Sequence, residues 1–313
     1  MSAVVLPLCG HEEPPSGQDW QQKLERWCER LDACAHKPSP RRVHGLRAAT
    51  LRLQAELDAC LLSSRVSPSA GLAAQRWSRK AQRVRKQLST LRDIDVCLDL
   101  LATFPRPETD KASLVPPNAR DYLRAIEQLE RTLRRRRATA GKRTVKALDA
   151  QRSRIEAAAR AIAQALSETA AVRMDHNAPL HALVRDLVSA VPGLTSATLH
   201  GFRKLAKTGR YLAERTPQPD AWTQEVASQC KAIQTTVGHW RDWATLAEYA
   251  KQRPSRGAGR DFACELQETA ARLLDEALRQ CRIAVAALAD RERSSPARRP
   301  VQRVHAAAAR RSA

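Results

Sequence analysis

Residues typical of β-sheets are scarce in this sequence. Aromatic residues make up 4% of the 313 residues, glycine occurs only 11 times, and no run alternates Val, Ile, Thr and Tyr as a strand would. Alanine, leucine, arginine, glutamine and glutamate dominate instead, and these residues lose little conformational freedom in a helix. The composition therefore predicts an all-α protein.

The eight cysteines lack the spacing of a metal site. None is arranged as Cys-x-x-Cys, and no group combines Cys and His at the spacing of metal ligands. Cys60, Cys97 and Cys281 lie among helix-forming residues and are interpreted as small core residues. We expect a reducing compartment, no zinc or other metal site, and no cofactor.

Long apolar segments are also missing. No stretch approaches the roughly 18 uncharged apolar residues that a membrane-spanning helix requires. Met1–Gly10 has no basic region and is followed directly by two acidic residues and two prolines, which argues against a signal peptide. The sequence thus predicts a cytoplasmic protein without a membrane span.

The charge of the chain is strongly one-sided. Lys and Arg number 54 against 33 Asp and Glu, which gives a net charge of +21. Such an excess opposes compaction unless a partner offsets it. The usual partner is nucleic acid, an anionic membrane surface or polyphosphate. The alternative is a generally basic composition without functional meaning.

Proline and glycine divide the chain into long helical segments. Residues 1–16 are predicted to be a disordered N-terminal segment, and residues 291–313, rich in Arg, Ala and Pro, a disordered basic tail. Between them we predict helices at 17–36, 41–63, 69–103, 118–172 with a break near Gly141, 178–190, 195–215, 220–252 and 258–290.

A duplicated pattern organises these segments. Val43-His44-Gly45-Leu46-Arg47 recurs as Leu199-His200-Gly201-Phe202-Arg203, and Leu88-Ser89-Thr90-Leu91-Arg92-Asp93 recurs as Val237-Gly238-His239-Trp240-Arg241-Asp242. The order is the same both times: a His-x-x-Arg helix, a turn with proline, and a helix that carries Arg-Asp near its end. The pattern predicts two related helical halves, near 17–172 and 178–290.

Basic residues recur at helical spacing on several predicted helices. Because a helix turns about 100° per residue, residues at i, i+3, i+7 and i+10 share one stripe. Like charges this close destabilise an isolated helix, so the stripes favour a phosphate chain as ligand. The candidate polyphosphate-binding residues are His44, Arg47, Arg52, Arg76, Arg79, Lys80, Arg83, Lys86, His200, Arg203, Lys207 and Arg210. The alternative interpretation, favoured for Arg134–Arg137 and Lys142-Arg143, is a solvated helix face.

We expect different roles for the two histidines and for the two Arg-Asp pairs of the repeat. His44 and His200 each begin a stripe at the predicted start of a helix, where anions are favoured. Each is predicted to contact phosphate, with capping of the helix as the alternative. The Arg-Asp pairs are Arg92-Asp93 and Arg241-Asp242. We predict that each forms an ion pair that orients the helices or a groove arginine, and that both aspartates are structural.

Catalytic motifs are missing from the sequence. There is no phosphate-binding loop, no Gly-x-Gly-x-x-Gly, no His-Glu-x-x-His and no Gly-x-Ser-x-Gly. Asp93 and Asp95 are two residues apart on a predicted helix, so they point to different sides and would not share a magnesium ion. We predict that the protein is not an enzyme and has no catalytic residues.

Taken together, the ordered pieces resemble the CHAD family, the conserved histidine α-helical domain. Residues 43–50 and 91–96 look like its first half, and 200–207 with Arg210-Tyr211 and Val237-Gly238 look like its second. The resemblance covers about 17–290. It implies two helical-bundle halves related by a pseudo-twofold axis around a basic groove. It also implies binding of inorganic polyphosphate without turnover, with polyphosphate granules as an expected location.

The sequence departs from the family in two respects. Leu51, Gln54 and Gly209 stand at positions that are typically basic in the family. The roughly 40 residues before His44 are too few for the triphosphate-processing domain that often precedes a CHAD domain, so we expect a stand-alone binding protein.

Three other functions stay open at this point. A nucleic-acid or nucleoid binder fits the charge, although no helix-turn-helix, zinc finger or aromatic-interleaved strand is evident. A phosphatase or metal-dependent phosphotransferase and a structural protein with incidental charge are the other two. The oligomeric state is not predicted.

Overall fold

The protein is a bundle of α-helices. The structure, a computed structural model, describes residues 17–61, 67–104, 117–167, 177–214, 216, 218–252 and 257–294. These residues contain no strand, which confirms the all-α prediction. In chain order the helices are α1 (Gly17–His36), α2 (Pro40–Leu61), α3 (Pro68–Gln87), α4 (Ser89–Leu101), α5 (Pro117–Asp149), α6 (Arg152–Ser167), α7 (Asn177–Ala190), a 3₁₀ turn (Val191–Gly193), α8 (Leu199–Ala213), α9 (Ala221–Lys251) and α10 (Ala258–Ser294).

Several predicted boundaries are wrong. The predicted helix 69–103 is two helices, α3 and α4, which meet at Leu88. The break in 118–172 falls between α5 and α6, at Ala150 and Gln151. Gly141 instead continues α5, facing Pro38. Helix α10 runs four residues past its predicted end, and the predicted segment 1–16 and the rest of the basic tail lie outside the described residues.

Side-chain caps fix the start of two helices. Ser67 precedes α3, and its Oγ accepts a hydrogen bond from the backbone N–H of Ala70 at 3.2 Å. Asp220 precedes α9, and its Oδ1 accepts one from the N–H of Thr223 at 2.7 Å. Each cap satisfies a backbone donor that the first turn leaves unpaired. The caps therefore define where two of the site-bearing helices begin.

The first hydrophobic core joins α1, α2, α3 and α6 with the end of α5. At its centre the rings of Trp27 and Trp77 meet edge to face, with 5.2 Å between their centroids. The indole N–H of Trp27 donates to Thr50 Oγ1 at 2.9 Å, and this hydroxyl donates in turn to the Leu46 carbonyl. Helix α2 is thereby fixed against α1 and α3.

The described residues form two further cores. One joins α7 and α8 to the beginning of α9 and the end of α10. The other joins α4 and the beginning of α5 to the end of α9 and the beginning of α10. This third core combines helices from both predicted halves, so it fixes α4 beside α9. The pseudo-twofold relation between the halves stays a prediction.

The predicted core cysteines are buried. Cys60, Cys97 and Cys281 are at most 7% exposed, and all three are unpaired thiols. Burial raises the pKa of the Cys281 thiol to about 12, so the thiol stays neutral in the core. These residues act as small apolar side chains.

Candidate polyanion-binding site

Arg47 of α2 is anchored to the junction of α3 and α4. Its Nη1 donates to the Arg85 carbonyl at 2.6 Å and to Ser89 Oγ at 2.8 Å. Burial lowers the pKa of Arg47, and the carboxylate of Asp93 acts in the opposite direction. Because hydrogen bonds hold the guanidinium on one side, its position is fixed before any ligand binds.

Arg203 of α8 has the equivalent anchor on α9. Its Nε donates to the Gln234 carbonyl at 3.3 Å. Gly238 lies beside it, where a Cβ would stand only 2.9 Å from Arg203 Nη2, so glycine leaves the space that the guanidinium occupies. In the duplicated pattern Gly238 corresponds to Ser89, and one helical turn earlier Gln234 corresponds to Arg85. The two arginines of the repeat therefore make the same contact in different helix pairs.

Lys207 lies among four arginines from three helices. Arg47 of α2, Arg85 of α3, and Arg203 and Arg210 of α8 all disfavour its charged form, after burial as the main cause. Together these effects lower the pKa of Lys207 to about 7. We call these five residues the central cluster. So many cations around one half-buried amine favour an anion strongly.

Tyr211 connects the cationic residues of α2 and α8. Its ring centroid lies 5.9 Å from the Arg52 guanidinium, 5.8 Å from Lys207 Nζ and 6.0 Å from the Arg210 guanidinium. These distances are within the range of cation–π attraction. Tyr211 is only 6% exposed, so it supports the cations from beneath and its face is covered.

Arg85 belongs to the site although the sequence analysis did not select it. Its Nη1 donates to Gln54 Oε1 at 3.2 Å, and Gln54 Nε2 donates to the Ser78 carbonyl at 3.4 Å. Gln54 thus connects Arg85 to the backbone of α3 at Ser78. The signal that could have found Arg85 is the repeat: extended by one turn, it pairs Arg85 with Gln234.

Two aspartates lie beside the anchored arginines. The side chains of Asp93 and Asp242 interact electrostatically with each other, and burial raises the pKa of both carboxyls. The attraction of Arg47 on Asp93 and of Arg203 on Asp242 opposes that increase. The predicted orienting partners take part as well, since Arg241 acts on Asp93 and Arg92 on Asp242. The structural role of these four residues stays a prediction.

The two histidines are exposed at the edge of the cluster. Partial desolvation by their neighbours lowers the pKa of both imidazoles, and nearby cations lower it further: Arg92 and Lys207 act on His44, and Lys204 and Arg241 act on His200. His200 is the second residue of α8, as expected for a helix start. His44 lies in the second turn of α2, because that helix begins at Pro40. The predicted position of His44 at a helix N-terminus is therefore wrong.

The α3 stripe lies away from the central cluster. Arg76, Arg79, Lys80 and Arg83 line a groove between α3 and α6, and Arg154 of α6 completes it. Lys86 is exposed on α3. The twelve candidate residues thus divide between two surfaces instead of facing one groove.

The Arg134–Arg137 run is not uniformly a solvated face. Arg137 Nε donates to the buried Asp95 Oδ1 at 2.7 Å, and its Nη2 donates to the Pro38 carbonyl at 2.6 Å. Arg134 is exposed and pairs with Glu130. Arg137 is therefore a structural residue that joins α5 to α4 and to the connection between α1 and α2.

Two features are absent from the part of the chain that the structure describes: a group of metal ligands and a helix that could span a membrane. No group of three or more His, Cys, Asp or Glu side chains there could hold a metal ion. Within the same ranges, every helix is too short or too polar to cross a bilayer.

Comparison with protein families gives a match over most of the chain. The sequence model of the CHAD domain matches residues 18–251, which run from the second residue of α1 to the end of α9 and include every candidate site residue. The chain belongs to the CHAD domain family. The comparison with curated proteins gave no match.

Solved structures with this CHAD fold are distant in sequence. The CHAD domain from the plant Ricinus communis superposes with a TM-score of 0.63 at 17% identity, covering 90% of this chain and 95% of the plant chain. PptA from Streptomyces chartreusis superposes with a TM-score of 0.57, also at 17% identity, covering 88% and 99%. At this identity the similarity shows the fold.

The structure explains one departure of this CHAD domain from its family. Gly209 is buried where α8 meets α7 and α9, and a Cβ there would lie 2.6 Å from Leu183 Cδ2 and 3.1 Å from Cys230 Sγ. A side chain at this close approach would have to displace the side chains of Leu183 and Cys230. Position 209 therefore belongs to the packing of α8, and the basic residues of α8 face the other way.

Proposed function

We propose that this CHAD domain binds inorganic polyphosphate in the central cluster and does not turn it over. The observation that carries the proposal is the gathering of cations at Lys207. Lys207, Arg52 and Arg210 lie within about 6 Å of the Tyr211 ring, and Arg47, Arg85, Arg203 and Arg210 all disfavour the charged form of the Lys207 amine. Their mutual repulsion makes the site costly without an anion and favourable with one. The cytoplasm, with polyphosphate granules as a specific location, belongs to the same proposal.

A chain of bare phosphates fits the cluster better than nucleic acid does. Arginine offers a planar set of donors that matches phosphate oxygens, and the fixed Arg47 and Arg203 present these donors without further ordering. Binding of single-stranded nucleic acid usually adds stacking of bases on exposed aromatic rings. Tyr211, the aromatic ring of this site, is covered by Arg52, Lys207 and Arg210.

Binding without turnover is supported by the surroundings of the nearest carboxylates. Asp93 and Asp242 interact with Arg47 and Arg203 and so offset part of the repulsion within the cluster. A carboxylate engaged in this way positions a cation. The competing hypothesis of a phosphatase or phosphotransferase predicts phosphate release from polyphosphate with added magnesium, and loss of that release in Asp93→Asn or Asp242→Asn.

The test is a binding titration with polyphosphate. Long-chain polyphosphate is titrated into the wild type, Lys207→Gln and Lys146→Gln at near-physiological salt. Lys146 is exposed on α5, outside the central cluster, so its replacement by Gln removes one charge at an unrelated place. We expect Lys207→Gln to weaken binding by about tenfold or more, because a charge-assisted hydrogen bond is lost. Lys146→Gln should stay within about twofold of the wild type.

Duplex DNA at equal phosphate concentration serves as the competitor. If polyphosphate is the ligand, the DNA leaves the complex largely intact. Full displacement by DNA, or equal affinity of the two variants, would mean that the protein is a general polyanion binder, and nucleic-acid binding would become the better hypothesis.

A further inference from the structure

A second cationic groove lies between α3 and α6. It has a volume of about 490 Å³, and all of its lining residues are either alanine or basic. The alanines that form its floor come from both helices, and the cations stand along its rims. The lining residues are Ala73, Ala157, Ala158, Ala161, Arg76, Arg79, Lys80, Arg83 and Arg154.

The five cations of this groove are not neutralised by the described part of the protein. None of them forms an ion pair with a described residue, whereas Arg152, only two residues before Arg154, is held by Asp32 at 2.8 Å and by Glu156 at 3.0 Å. The carboxylates of Glu156 on α6 and Asp32 on α1 thus pair with Arg152 and not with the cations of the groove. Five cations around one cavity repel each other unless an external anion occupies it.

The groove and the central cluster lie on different sides of α3. At about 100° per residue, Arg83 in the groove and Arg85 in the cluster are about 160° apart around the helix axis. The arc between them on the surface carries the exposed Gln82 and Lys86. No apolar side chain interrupts this path, and Lys86 adds a cation midway.

We propose that the groove between α3 and α6 is a second binding track for the same phosphate chain, reached from the central cluster across Lys86. The inference rests on the proposed function. The lining favours a bare phosphate chain over nucleic acid, because it contains no aromatic ring on which a base would stack. The alanine floor allows a narrow chain to lie close to both helices, within reach of cations on each rim.

A dependence on chain length follows from the two tracks. Tripolyphosphate occupies one track at a time, whereas a long chain held in the central cluster presents its next phosphates to the groove at high effective concentration. Long chains therefore bind more tightly than their number of phosphates alone explains. The groove contributes to affinity for long chains and leaves short-chain binding in the cluster unchanged.

The experiment compares two variants with the same loss of charge. Arg76→Gln/Arg79→Gln/Arg83→Gln removes three groove cations, and Gln keeps the helix propensity close to that of Arg. Arg260→Gln/Arg272→Gln/Arg282→Gln removes three exposed cations of α10. Each protein is titrated with tripolyphosphate and with long-chain polyphosphate, and circular dichroism checks that it is folded.

We expect the groove variant to lose about tenfold or more in affinity for the long chain while its affinity for tripolyphosphate stays within about twofold. The α10 variant should keep the ratio of the two affinities found in the wild type. Equal long-chain affinity of the two variants would overturn the second track but leave the proposed function intact. Failure of the wild type to bind either ligand would instead refute the proposed function itself.

Discussion

At the scale of single residues, the protonation of Lys207 links ligand binding to pH. Its pKa is about 7 in the folded protein and 10.5 when the side chain is unperturbed. Between these values the unfolded chain holds a proton that the folded protein has released, so this residue's contribution to stability rises with pH across that window. Below pH 7 the amine is charged in both states, and the folded state is destabilised by the full repulsion between this amine and the four arginines.

We predict that polyphosphate binding at pH 8 takes up close to one proton. At that pH only about a tenth of Lys207 side chains are protonated in the free protein. A bound phosphate chain attracts the charged amine and offsets its repulsion by the four arginines. Both effects raise the pKa of Lys207, so binding completes its protonation. Calorimetric titration in two buffers with different ionisation enthalpies measures the uptake.

Lys207→Gln serves as the control for this proton. The variant should take up much less proton at pH 8, because the pKa values of the two histidines at the edge of the site are lowered from 6.5 in the free protein and lie further below pH 8 than that of Lys207. Equal uptake by wild type and variant at pH 8 would show that another group is responsible.

Sequence alone identifies some of the site residues and misses others for a physical reason. Arg203, Lys207 and Arg210 share one helix stripe, so periodicity finds them, and the structure brings them together. Arg85 lies about 100° around α3 from Lys86 and off the predicted stripe. Its place in the cluster depends on the packing of α2 against α3, and the periodicity of α3 alone contains no information on that contact.

At the scale of helices, most elements are predictable and two junctions are not. Prolines precede or begin α2, α3 and α5, and the predicted starts there are within one residue. Leu88, between α3 and α4, has helical dihedral angles of φ −77° and ψ −10°. The chain changes direction there without a residue that breaks helices. The break at Ala150 and Gln151 likewise lacks proline or glycine, so tertiary packing decides where both helices end.

One element-scale prediction concerns the ion pair between α5 and α4. Replacement of Arg137 by Ala leaves Asp95, which is 3% exposed, without its charged partner and frees the Pro38 carbonyl. We expect the free energy of unfolding to fall by about 3 kcal/mol, since a buried carboxylate without its partner is strongly unfavourable. Urea denaturation measures the loss.

Arg135→Ala is the matched control on the same helix. Its side chain is exposed, so the same substitution should change the unfolding free energy by less than about 0.5 kcal/mol. If both variants lose equally little stability, the contact between Arg137 and Asp95 does not hold α5 to α4, and the run Arg134–Arg137 is a solvated face throughout.

At the scale of the whole molecule, the net charge of +21 opposes folding and favours polyanion binding. Cations of α2, α3, α6 and α8 form the two cationic surfaces. Elsewhere, exposed arginines are often paired within one helix, as Arg124 is with Asp121 and Arg134 with Glu130. Within the central cluster Arg210 likewise pairs with Glu214, at 2.6 Å, whereas the five cations of the groove between α3 and α6 form no ion pair with a described residue.

Salt should therefore have opposite effects on the free protein and on its complex. Raising NaCl from about 0.05 to about 0.2 M screens the repulsion, so the urea midpoint of the free protein should rise. The same change should weaken binding of long-chain polyphosphate by about a hundredfold, since roughly five cation–phosphate contacts displace counterions when they form. Both effects are measured on one preparation.

A protein whose charge is incidental would be stabilised by salt as well, but its weak association with polyphosphate would show only a shallow salt dependence. The steep loss of affinity is thus the result that separates a built polyanion site from a merely basic surface.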